Sequence, residues 1–164
     1  MSKWLSGQPL PLIKAEVYVE QTNALGHLKA VEYVAIFDDA TVDFFTKTAL
    51  TDGHLRHGET SPFLVELHTC YLKELGPGER VATTAQVLDH DVKRARVILS
   101  MTALGDHTLV ATCELAVINM GLTDRKPVPW SSAQGEIWST LRAAHASLPD
   151  LPQAGRSIQP LTKR

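Results

Sequence analysis

Polar and apolar positions change their period twice along residues 21–50. Gln21-Thr22-Asn23-Ala24-Leu25-Gly26-His27 has no apolar rhythm and reads as a turn. From Val31 the apolar residues recur at helical spacing. Val31, Tyr33, Val34, Phe37, Ala40, Val42, Phe44 and Phe45 share an arc wider than half a helix, with Glu32, Asp39, Asp43, Thr46 and Lys47 opposite. A helix this apolar has to be wrapped over most of its girth. Asp38 falls inside the arc, where a carboxylate must find donors or shift its pKa. It is either an acid bonded to a neighbouring group or a carboxylate facing a reaction centre.

The rest of the chain alternates with period two, the signature of half-buried strands. Residues 13–20 alternate Ile13, Ala15, Val17 and Val19 against Lys14, Glu16, Tyr18 and Glu20. Further strands are predicted at 63–72, 80–88, 94–104 and 108–120. Gly76-Pro77-Gly78, Asp89-His90-Asp91 and Gly105-Asp106-His107 supply the connections. Short connections make neighbours antiparallel, so a four-stranded meander curled around the helix is expected, with the first strand at its edge. Residues 1–12 and 51–62 read as irregular. A second helix starts near Ser131, where Ser131 and Gln134 form a capping box and Ile137, Leu141, Ala144 and Leu148 form a stripe. The order strand, long helix, four strands, helix is an α+β arrangement. One domain over 1–148 is expected, with an extended or mobile tail over 149–164.

Composition narrows the function classes. Among 164 residues, 44% are hydrophobic and 21% charged, with a net charge of -2, which gives no general attraction to nucleic acid. No run of about 18 apolar residues could cross a membrane. No signal peptide is expected, and Cys70 and Cys113, both in apolar runs, suit reduced thiols in the cytoplasm. His54 and His57 have a metal-like spacing without a third ligand, so no metal is expected. Neither a serine or cysteine triad nor a phosphate-cradling glycine loop is present.

The turn, the helix and the sheet together resemble the hotdog-fold acyl-CoA thioesterases of the 4-hydroxybenzoyl-CoA thioesterase type. The residues that carry the resemblance are Asn23-Ala24-Leu25-Gly26-His27, Tyr33, and Phe37-Asp38-Asp39-Ala40. Glu66-Leu67-His68, Tyr71-Leu72 and Leu75-Gly76-Pro77-Gly78-Glu79 extend it through the sheet. The resemblance implies a hotdog fold, a homodimer or dimer of dimers with its site at the subunit seam, and an acyl-CoA substrate. No cofactor is implied beyond the CoA of the substrate. Many such proteins carry an Asp where Asn23 stands, as nucleophile or general base. An amide cannot take a proton, so Asn23 is left to donate a hydrogen bond or position water.

Thioester hydrolysis needs an activated water, donors for the oxyanion and a grip on CoA. Asp38 and Glu66 are candidate bases, with Asn23 and His27 as the other candidate catalytic residues. Gly26 and His27 could offer backbone N–H groups at the helix start. Tyr33, His68, Lys93 and Arg94 are candidate substrate contacts, the last two toward the CoA phosphates. The run His90-Asp91-Val92-Lys93-Arg94 is similar to hotdog thioesterases of carnitine breakdown, which cleave betainyl-CoA. Trp4, Trp130 and Trp138 could then form a wall for a quaternary ammonium. Two rival functions stay open: a dimer that binds an acyl thioester without cleaving it, and a hydratase or dehydratase on the same scaffold.

Overall fold

The computed structural model describes residues 7–50 and 59–158. Trp4, His54 and His57, most of the 51–62 loop and the end of the tail lie outside them. Among these residues, five strands and two α-helices follow in the order β1 (Leu10–Glu16), α1 (Ala30–Lys47), β2 (Thr60–Tyr71), β3 (Arg80–His90), β4 (Arg94–Ala103), β5 (Leu109–Gly121) and α2 (Ser132–Ala144). All pairings are antiparallel, in the order β1-β3-β4-β5-β2.

Two features depart from the expected meander. β2 pairs with β5 and not with its successor β3, so the segment between β2 and β3 crosses the width of the sheet. Burial drives that crossing. Leu75 in its middle is fully buried, and its carbonyl accepts from Leu28 N–H at 2.7 Å. β1 also begins earlier than expected, at Leu10, despite Pro11. It is an edge strand, where a missing N–H costs no ladder bond, and a register shift between Pro11 and Lys14 rephases its faces.

α1 lies across the sheet on Tyr33, Ile36, Phe37, Ala40 and Phe44, all buried. Fully burying a side chain the size of Phe37 or Phe44 contributes about 1.5–3 kcal/mol. The helix is not wrapped over most of its girth. Val31 and Val42 are 64% and 57% exposed, and Asp38 is exposed beside them. The reason is geometric: a single five-stranded sheet covers one side of a helix. Asp38 therefore stands in solvent in the single chain, outside any enclosed arc.

α2 starts where expected, with the Ser131 hydroxyl accepting from Gln134 N–H and the Gln134 side chain accepting from Ser131 N–H. Its buried stripe is rotated from the expected one. Gln134, Trp138, Leu141 and His145 face inward, because the Trp138 indole fills the gap beside Phe44 and Phe45 of α1. Trp130 packs on Trp138 at 5.4 Å. Both indoles belong to the core, which removes them from the expected cation-binding wall.

His145 ties α2 to β3. β1 reaches only to Ala85, and beyond it the Val87 N–H donates to His145 Nδ1 at 3.0 Å. That bond fixes the proton on Nε2. Burial, followed by the nearby Arg142 charge, pushes the imidazole pKa down from its ordinary value. The unfolded imidazole takes up a proton below about pH 6.5 while the buried one resists, so the unfolded state binds more protons. Stability is expected to be unaffected by this group above about pH 6.5. It should fall as pH drops toward the folded value, with a slope of up to about 1.4 kcal/mol per pH unit. Urea titrations across that window check it: His145→Gln, which can still accept through its amide oxygen, should remove this part of the slope.

Candidate active site

The turn ahead of α1 is held by Asn23. Its Oδ1 accepts from Leu25 N–H at 2.9 Å and from His27 N–H at 3.2 Å. Its backbone N–H donates to His27 O, and Gly26 N–H donates to Asn23 O. Short polar side chains favour such turns because they imitate a backbone acceptor. Gly26 has a φ of +78°, and nothing crowds the place of its missing Cβ, so it is needed for its backbone angle. The N–H groups of Gly26 and His27 therefore bond inward to Asn23. They also lie upstream of α1, which starts at Ala30, so the expectation that they act as donors at a helix N-terminus does not hold in this chain. With Oδ1 facing the turn, the Asn23 NH₂ is the end left to donate outward.

The crossing between β2 and β3 brings a second wall to this turn. A cavity of about 350 Å³ is lined by Asn23, His27, Tyr33, Tyr71, Lys73 and Glu74, among others. Tyr33 OH donates to Lys73 O at 3.2 Å, and Tyr71 OH donates to Ala30 O at 3.3 Å. The two rings meet nearly at right angles, 5.4 Å between centroids. Burial raises both phenol pKa values, so both tyrosines stay protonated as donors. His27 Nδ1 lies 3.2 Å from Glu74 Oε2, a contact that orients the imidazole. The Glu74 side chain is largely open to solvent and the His27 side chain partly so, which leaves the pair adding little stability. Tyr71, already among the residues that carry the resemblance, and Glu74, which no local pattern in the sequence marks, complete the cavity from the end of β2 and beyond it.

The other expected site residues lie elsewhere in the single chain. In β2, Thr69 shares a face with the core thiol of Cys113, so the strand's period of two turns Glu66 and His68 to the opposite face. There they line a separate cavity of about 270 Å³ with Arg96, Glu114, Gly155 and Arg156. Arg96 bonds Asp89 and Glu114, and the Gly155 N–H donates to Glu114 at 2.6 Å, which anchors residues 149–158 to that face. Within one chain Glu66 and His68 do not line the Asn23 cavity; the grouping the resemblance implies is with the turn of a second subunit. Asp38 does not line the Asn23 cavity either. Arg94 is paired with Asp91 at 2.6 Å, and backbone donors from Lys93 together with that guanidinium pull the Asp91 pKa down to about 2. Asp91 thus offsets the charge of Arg94, one member of the basic run. Burial pushes the Cys113 thiol up to about 11, which leaves it unreactive near neutral pH. No cluster of three or more metal-ligating side chains occurs among the described residues.

Comparison with known proteins gives the family and the fold. Residues 17–137 match the family model of the thioesterase-like superfamily. The betainyl-CoA thioesterase of Pseudomonas aeruginosa is 27% identical over 154 residues, spanning 92% of this chain and 95% of that protein. An L-carnitine dehydrogenase/betainyl-CoA thioesterase from Rhizobium sp is also 27% identical over 154 residues, which make up 30% of its length. Among solved structures, a Staphylococcus aureus protein in complex with CoA superposes with a TM-score of 0.84 at 22% identity, over 93% of this chain and 97% of that one. A 1,4-dihydroxy-2-naphthoyl-CoA thioesterase from Synechocystis gives 0.67 at 16% identity, over 84% and 96%. The fold is the hotdog fold: an antiparallel sheet curved over one long helix, with a C-terminal helix added.

Proposed function

This chain belongs to the thioesterase-like superfamily, and from that premise we propose that it hydrolyses a small acyl-CoA to the acid and free CoA with an activated water. The observation that carries the reading is the cavity in which Asn23, His27 and Tyr33 meet ahead of α1. The reaction needs a proton acceptor there. His27 is the base of that cavity, with Glu74 orienting its ring from Nδ1 and leaving Nε2 for the water. The Asn23 NH₂ donates to the thioester oxygen as negative charge builds on it. Water attacks the carbonyl carbon, the C–S bond breaks, and the proton taken by His27 returns to the departing thiolate.

The betainyl group is the acyl group favoured here, on the likeness to the Pseudomonas aeruginosa enzyme. A thiol-release assay over a panel of acyl-CoAs tests the reading. Free CoA should appear, fastest from betainyl-CoA. Bound but intact thioester throughout the panel would instead identify a binding module.

The active form is proposed to be a homodimer. β2 is an edge strand with Leu64, Val65 and Leu67 exposed at 46%, 61% and 38%, and the bare side of α1 carries Val31 and Val42. An apolar free edge of this kind favours pairing with a second copy. Sedimentation should give twice the chain mass, and Val65→Lys should shift the population to monomer. A wild-type monomer at micromolar concentration would sink this assignment. No helix among the described residues is long and apolar enough to cross a membrane, and Cys70 and Cys113 are unpaired, which supports a cytoplasmic enzyme.

A further inference from the structure

We propose that Tyr71 is a specificity-determining residue whose half-exposed ring, set against Tyr33 in the wall of the Asn23 cavity, receives a quaternary ammonium on the acyl group. The inference rests on the hydrolase reading for its place in the reaction, but the recognition itself stands on the cavity. Tyr71 is 50% exposed while its hydroxyl is bonded to Ala30 O, so the phenol is anchored at one end and the ring stays accessible. Tyr33 stands nearly perpendicular to it and is itself held through its hydroxyl. The Tyr71 ring, fixed at its hydroxyl and backed by the buried Tyr33 ring, offers electron-rich surface without losing side-chain freedom on binding.

The charges around the cavity suit a cation. Glu74 lines it, and the carboxylates of Glu74 and Glu79 both act on the Tyr33 phenol. The nearby cations are drawn away. Lys73 Nζ is 2.7 Å from Asp106 Oδ2, and Lys29 Nζ bonds Glu20 O at 2.8 Å. With Trp130 and Trp138 buried in the core, the accessible aromatic surface beside the Asn23 turn is, among the described residues, that of Tyr71. An anionic acyl group would meet Glu74. A neutral one of equal shape would forgo the attraction to the ring.

The test compares betainyl-CoA with 3,3-dimethylbutanoyl-CoA, in which carbon replaces the quaternary nitrogen at nearly the same shape. For the wild-type protein the ratio of kcat/KM should favour the cation by about tenfold. Tyr71→Leu should collapse the ratio toward one, and Tyr71→Phe, which keeps the ring, should retain it. Equal kcat/KM for the two thioesters in the wild type, or an undiminished ratio in Tyr71→Leu, would overturn the proposal. A second measurement needs neither turnover nor a folded variant: choline and its neutral counterpart 3,3-dimethylbutan-1-ol are titrated into wild-type protein and followed by NMR. Choline should bind with shifts confined to the tyrosine resonances of this cavity. Equal binding of both, or of neither, counts against the site. Selective choline binding with no thiol released from any thioester would refute hydrolysis while upholding recognition.

Discussion

Replacing His27 by Gln should lower kcat by about 10²–10⁴, the usual contribution of a positioned general base, and should change KM little. The Asn23 Oδ1 is occupied by two backbone N–H groups of the turn. An amide in that setting holds the turn and donates; it does not accept a proton. His27 lies in the same cavity with Glu74 3.2 Å from its Nδ1. Glu74→Gln should also lower kcat, because Gln can still accept from Nδ1 but supplies no charge to the imidazolium. The controls are Asp38→Asn and Glu66→Gln. Asp38 is exposed on α1, and Glu66 faces the opposite side of the sheet from the core. If Glu66→Gln removed activity as fully as His27→Gln, the base would have to be assigned to β2 of a second subunit. Thiol release under saturating substrate, with circular dichroism to establish folding, separates these outcomes.

The second large effect is on stability. Trp138→Ala should destabilise the fold by about 3–5 kcal/mol, the range for removing a fully buried large aromatic. Trp138 has no exposure and contacts Phe44 and Phe45 of α1 as well as Trp130 ahead of α2. Its loss opens a void between two helices that meet largely through this ring, and the surrounding aromatics are too constrained to collapse into it. Chemical denaturation should show a lower midpoint with α2 loosened. Trp138→Phe, which retains most of the contact, should cost less than half as much. A change below 1 kcal/mol in Trp138→Ala would mean that α2 contributes little to the folded state.

Local period carried much of the architecture. The helix at α1, the strands β3, β4 and β5 and the capped start of α2 follow from spacings of 3.6 and 2 and from the Ser131–Gln134 pair. Such features are set by neighbours in sequence and can be read from it. The turn residues Asn23, Gly26 and His27 were legible for the same reason, as a polar break before a periodic run. Strand order was not. Whether β2 pairs with β3 or β5 depends on where Leu75 is buried and on which edge is vacant, and neither quantity is local.

The same limit governs the site. Tyr71 and Glu74 reach the Asn23 turn only because the β2–β3 segment crosses the sheet and pins its carbonyl at Leu75 to Leu28. Glu66 and His68 go to the other face through the strict alternation of a strand that the core thiol of Cys113 phases. Asp38 lay within an apolar arc on paper, yet one sheet covers only one side of a helix, and it is the uncovered side that it occupies. By itself the sequence determined most of the elements and the residue types available at the head of α1, because these depend on spacing and residue type. Tertiary structure alone decided which distant side chains share a cavity with Asn23, because that follows from chain crossing and from the geometry of packing one sheet on one helix.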